Sequence, residues 1–140
     1  MISLDSNINS INNDINYVKI CNEFCKYYYK NMSENGIHYI LKLFHPNVSC
    51  SINNQEFKGG YNLLIFLTNQ GIKKFNYYGL KGFFQPISRT ELIIYVHGSI
   101  RPVNLWNETN EWKKFSEIFI IQENGLNKYV IKNYIFHIIK

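Results

Sequence analysis

The feature that most constrains this chain is where its hydrophobic periodicity changes. From Ile15 the apolar positions Val18, Cys21, Cys25, Tyr28 and Met32 fall three or four apart, which predicts an amphipathic helix. Asn31 to Gly36 breaks it, and a second short helix carries Ile37, Ile40, Leu41 and Phe44 until Pro46 stops it. Val48–Ile52 reads as a strand, turned by Asn53-Asn54 into a return strand with Phe57. Gly59-Gly60 then swings the chain into a third helix, Tyr61 to Gln70, with Leu64, Leu67 and Ile65 inward. After Gly71 the period becomes two, in four segments: Ile72–Gln85, Glu91–Arg101, Glu111–Gln122 and Lys128–Ile138. In the second of these Leu92, Ile94, Val96, Gly98 and Ile100 share one face, and Tyr95, His97 and Ser99 the other. In the third, Phe115, Glu117, Phe119 and Ile121 alternate with Ser116, Ile118 and Ile120. Helices first and strands after predict an α+β fold: three N-terminal helices on a mostly antiparallel sheet.

The 140 residues suit one domain, able to bury roughly 70% of the surface of the unfolded chain. Residues 1–14, rich in Ser, Asn and Asp, are expected to be a flexible N-terminal tail, and residues 15–140 the domain. The sequence shows neither a basic segment followed by an apolar signal core nor an apolar run long enough to span a bilayer. No membrane association is expected, and the three cysteines should be reduced thiols of an intracellular protein. The net charge of +5 invites a nucleic-acid reading. However, 13 residues are Lys and only Arg89 and Arg101 are Arg, Ala is absent, and Asn and Ile are in excess, as AT-rich coding would give. Arg supplies the planar fork that reads bases, so specific nucleic-acid recognition is not expected. Weak, salt-sensitive attraction to RNA is.

Six aromatic and glycine signatures follow one another along the chain. They are Phe24-x-x-x-Tyr28-Tyr29, Leu43-Phe44, Gly59, Val96-x-Gly98, Phe115-Ser116-Glu117-Ile118-Phe119 and Asn133-Tyr134-Ile135-Phe136. Their order resembles the nuclear transport factor 2 family from about Tyr17 to Ile138. The resemblance implies a cone made of three helices and a strongly bent sheet. The branch that imports Ran-GDP engages Ran with acidic residues, one of them in the first hairpin. That hairpin here is Ile52-Asn53-Asn54-Gln55, without an acid, and the family's neighbouring tryptophan is Ile52, so Ran binding is not carried over. The chain is similar as well to the small subunit of the mRNA export receptor, which pairs with a related cone through its sheet. A further similarity is to the N-terminal domain of stress-granule scaffolds of the Ras-GAP SH3-binding type.

The resemblance implies a groove for Phe-Gly-containing peptides, such as those of nucleoporins, lined by Phe24, Tyr28, Leu43, Phe44 and Phe136. The bland reading of the same residues is a core. Tyr95, His97, Trp112, Ile118 and Ile120 are the expected interface of a homodimer or a heterodimer with a related domain, because an apolar sheet face left open marks an interaction site. The function expected is a non-enzymatic binding module in nucleocytoplasmic transport, such as mRNA or protein export, working in cytoplasm and nucleus. The alternatives are a stress-granule or ribonucleoprotein scaffold and a small cone-pocket enzyme of isomerase or dehydratase type. For catalysis both aspartates, Asp5 and Asp14, lie too early in the chain. Only Glu117, with His97 or Tyr95 nearby, makes a candidate acid–base set. A lone Glu among apolar neighbours reads more simply as a rim or interface residue, so no catalytic residue is expected. Cys21 and Cys25, four apart on one helix face, lack the further ligands zinc needs. They read as small buried hydrophobes, and no metal or cofactor is expected.

Overall fold

The structure is a computed structural model that describes residues 3–6, 16–106, 108, 110–125 and 128–139. Helix α1 spans Tyr17–Glu34 and is opened by Asn16, whose side-chain oxygen accepts a hydrogen bond from the Lys19 amide at 3.0 Å. Its inward stripe is Tyr17, Cys21, Phe24, Cys25, Tyr28, Tyr29 and Met32. Val18, expected on that stripe, is instead exposed, because Tyr17 takes the place one turn before Cys21. Helix α2 is only Ile37–Ile40, followed by a 3₁₀ turn at Leu41–Leu43. Phe44 therefore does not end a helix but opens strand β2, Phe44–Ile52. The ring of Pro46 pushes the residue before it into extended backbone, so the change comes early. Asn53 and Asn54 both have positive φ, as a tight two-residue hairpin needs, and lead into β3, Gln55–Lys58. Helix α3 is Gly60–Asn69; Leu63, Leu64 and Leu67 are buried, whereas Ile65 faces out.

Four long strands follow: β4 Ile72–Pro86, β5 Glu91–Asn104, β6 Lys113–Glu123 and β7 Tyr129–Ile139. With β1, Ser3–Ser6, they form one seven-stranded sheet of order β1-β4-β5-β6-β7-β2-β3. The β4-to-β7 run is an antiparallel meander, while β2 lies parallel to β7 and β1 parallel to β4. Part of the expected tail is thus a strand, because Ser3–Ser6 supplies backbone partners to the free edge of β4 at Lys81–Phe84. The remainder of residues 1–14 lies outside the described residues.

Irregularities interrupt the pairing between Tyr78 and Lys81 on β4 and between Ile120 and Ile121 on β6. Bulges of this kind bend a strand and increase its twist, which curls the sheet around the helices. The inner face of the sheet holds Phe75, Phe84, Leu92, Ile94, Val96, Ile100, Phe115, Phe119, Ile121, Tyr134 and Phe136, all buried. Gly36 enters α2 with φ +87° beside β4, and a Cβ there would stand 2.8 Å from the Lys73 carbonyl oxygen. Only glycine fits both the backbone angle and that approach. The overall architecture is the expected α+β one, three helices on a mostly antiparallel, curled sheet.

Candidate functional site

Two places combine polar chemistry with an unusual setting. The first is the interior of the cone around Glu117. Period-two alternation puts Glu117 on the same face of β6 as Phe115, Phe119 and Ile121, and its relative exposure is 1%. It is not a rim residue. Helix α1 brings two phenols to it: Tyr29 donates to Oε1 at 2.8 Å and Tyr28 to Oε2 at 3.4 Å. From β7 the Tyr134 hydroxyl donates a third, close hydrogen bond to Oε2. Tyr77 of β4 packs its ring edge-on to Tyr29 at 4.7 Å, and its buried hydroxyl has no partner among the described residues. Burial pushes the Glu117 carboxyl up from 4.5 to about 7, and the bonds from Tyr134, Tyr29 and Tyr28 pull the other way without cancelling it. The phenols of Tyr28, Tyr29, Tyr77 and Tyr134 are raised in turn, first by burial and then by the Glu117 charge.

A carboxyl that titrates near neutrality is suited to proton transfer. Here, however, both its oxygens face the chain's own tyrosines, packed among Phe24, Phe119 and Tyr77. The candidate acid–base set of Glu117 with His97 or Tyr95 is not assembled. Val96 is the residue opposite Glu117 across the β5–β6 ladder, so its neighbours Tyr95 and His97 point to the outer face of the sheet.

That outer face is the second place. In register across four strands lie Phe83, Tyr95, Ile118 and Ile135, with Ile93 and Ile120 in an adjoining row. Phe83 and Ile135 are 40% and 47% exposed, while Tyr95, Ile118 and Ile120 are half-buried. The Phe83 and Tyr95 rings stack at 4.9 Å with 26° between planes. Trp112 stands at the edge of this face, with the Arg101 guanidinium 4.6 Å above its ring and Tyr78 beside it. The expected interface residues thus share one face of the sheet, His97 being exposed among them.

The expected peptide-groove residues lie elsewhere. Phe24, Tyr28, Phe44 and Phe136 are all buried, and Leu43 is half-buried against them. Phe24 meets Phe119 edge-on at 5.3 Å, Phe44 meets Tyr134 at 5.6 Å and Phe136 meets Phe75 at 5.7 Å. Sequence reading missed Tyr29 and Tyr134 as partners of Glu117: alternation put Glu117 on the face of Phe115 and Phe119, but the helical stripe it drew left out Tyr29 and it assigned no faces along the last strand. Cys21, Cys25 and Cys50 are buried free thiols, and burial pushes Cys21 up to about 12 and Cys50 to about 11. Among the described residues no group of three His, Cys, Asp or Glu side chains is arranged to hold a metal ion.

No family model and no curated protein matches the chain. Solved structures do. Nuclear transport factor 2 from Cryptosporidium parvum is 21% identical with a TM-score of 0.72, covering 93% of this chain and all of that one. A candidate scytalone dehydratase from Novosphingobium aromaticivorans is 9% identical with a TM-score of 0.69, over 88% of this chain and 84% of that one. A candidate calcium/calmodulin dependent protein kinase II association domain from Xanthomonas campestris is 8% identical with a TM-score of 0.69, over 93% of both chains. Likenesses at these identities establish a shared fold.

Proposed function

We propose that this chain, folded as a nuclear transport factor 2-like cone, is a non-enzymatic protein-binding module that pairs through the outer face of its sheet. The observation that carries this reading is the apolar register row Phe83–Tyr95–Ile118–Ile135 with Ile93 and Ile120 beside it. Exposed apolar rows spanning four strands lose free energy by meeting a second apolar surface, at about 25 cal/mol per Å² covered. The partner is a second copy or a related cone. A carrier or adaptor role between cytoplasm and nucleus, with Phe-Gly peptides as ligands, draws its support from the likeness to a nuclear transport factor over the full length of that protein.

Sedimentation equilibrium tests the pairing. The wild-type protein is expected at twice the 16.7 kDa chain mass, and Ile118→Lys, which puts a charge mid-row at a half-exposed position, at the single mass. A wild type that stays monomeric at high concentration removes the homodimer. Calorimetric titration with a Phe-Gly peptide and a Phe-to-Ser control tests the ligand. Phe-dependent heat supports the transport role; silence at millimolar peptide removes it.

One observation favours the enzyme reading: the Glu117 carboxyl, held near neutrality inside a fold shared with a candidate dehydratase. Its three phenol partners and its enclosure make a structural polar core the better account.

A further inference from the structure

The outer face of the sheet is not uniform. Its apolar rows lie toward the start of β5, at Ile93 and Tyr95; further along, at His97 and Ser99, the chemistry changes. There β4 bulges between Tyr78 and Lys81, with Gly79 at φ +64°. The bulge fits because the facing residue is Gly98, where a Cβ would stand 3.0 Å from the Gly79 carbonyl oxygen and 3.1 Å from a Leu80 methyl. The result is a hollow of about 730 Å³, bounded by Tyr78, Lys81, Phe83, Tyr95, His97 and Lys114. None of its lining residues is acidic. Tyr78 is 74% exposed, and beside it Trp112 and Arg101 extend the same mix of ring and cation.

We infer that this hollow is a binding site for single-stranded nucleic acid, taken without sequence preference. Two lysines offer charge to phosphates, and the exposed rings offer faces on which unpaired bases stack. Each alternative occupant uses only part of the site. A duplex hides its base faces from the rings. An acidic peptide satisfies the lysines and leaves the rings idle. A second copy of the chain centred here would set Lys81 and Lys114 against further lysines, a like-charge arrangement that costs affinity. The hollow shares Phe83 and Tyr95 with the pairing row, so a partner sheet and a nucleic-acid strand would compete for those two rings, while Tyr78, Lys81 and Lys114 belong to the hollow alone.

Fluorescence anisotropy with a labelled oligouridine, at low and at physiological salt, tests it. Binding with a Kd of about 10⁻⁴ to 10⁻⁶ M at physiological salt is expected. Tyr78→Ala, at a largely exposed position, should weaken it about 5- to 150-fold, the range for losing one base–ring stack. Lys81→Glu with Lys114→Glu should weaken it further and cut the log–log salt slope by about 1.4, two phosphate contacts' worth. Ile118→Lys, which does not line the hollow, should bind oligouridine no more weakly than the wild type whatever its mass, so a failed pairing and a failed nucleic-acid site give different results. The proposal is overturned if duplex RNA of the same sequence binds as tightly, or if Tyr78→Ala changes nothing. It is equally overturned if the wild type shows no binding, or if a glutamate-rich peptide binds the hollow and oligouridine does not displace it.

Discussion

Replacing Glu117 with glutamine should raise stability at pH 8 and flatten its fall between acid and neutral pH. The sign follows from linkage. The carboxyl is raised from 4.5 to about 7 in the folded state, so between those values the folded protein holds a proton that the unfolded chain has released. Its contribution is fully present below about pH 4.5 and is lost as pH rises to about 7, after which an ionised carboxylate stays buried. A difference of that size corresponds to roughly 3 kcal/mol. Glutamine keeps the shape and an acceptor oxygen for the tyrosines while removing the titration. Urea unfolding of both proteins from pH 4.5 to 8 measures this directly: the two should agree at the acid end and diverge toward pH 8, with the variant more stable. A wild type that gains on the variant as pH rises would mean that the three phenol bonds outweigh burial. Glu117→Leu should behave differently. It leaves the hydroxyls of Tyr28, Tyr29 and Tyr134 without their acceptor, at about 1–3 kcal/mol for each one that stays buried and unsatisfied.

Phe136→Ala should cost about 3–5 kcal/mol, a large share of a domain's stability of about 5–15 kcal/mol. The ring is 2% exposed and lies among Phe75, Phe115 and Tyr134 at centroid distances of 5.7, 6.1 and 6.2 Å. No neighbouring ring can collapse into the hole without giving up its own contacts. Thermal unfolding should show a fall in Tm of roughly 10–20 °C, whereas Tyr61→Ala on the exposed side of α3 should leave Tm nearly unchanged. A fall of only a degree or two would place Phe136 at a pliable, open site, as a peptide groove requires. The comparison also bears on the transport proposal: a Phe136 variant that stops binding Phe-Gly peptides is informative only if it is still folded at the temperature of the titration.

Much of the fold was legible because the signals that carry it are local. Inward and outward residues of β5 and β6 follow from the two-residue repeat of any extended strand, and the Asn53-Asn54 hairpin from two side chains that tolerate positive φ. The misplacements were local too, and each lies where two local rules compete. Val18 and Tyr17 are both candidates for the first inward position of α1, and helical spacing alone does not choose between them. Phe44 fits the end of a helix by spacing and the start of a strand by its nearness to Pro46.

The candidate sites were legible only in part. Alternation turns Glu117 inward but does not say whether inward means a wet cavity, an interface or a closed core. That depended on Tyr28 and Tyr29, 89 and 88 residues away, and on Tyr134, 17 residues away, arriving at the same carboxyl. Likewise the outer face was readable as apolar, but its hollow depends on a bulge at Gly79 opposite Gly98, which no strand pattern announces. The sequence by itself determined the order of the three helices and the strands from β2 onward, and the faces of the residues in β5 and β6, since backbone geometry between near neighbours sets both. The tertiary structure decided which inward residues meet and where the sheet departs from regularity, since both depend on segments far apart in the chain packing against one another.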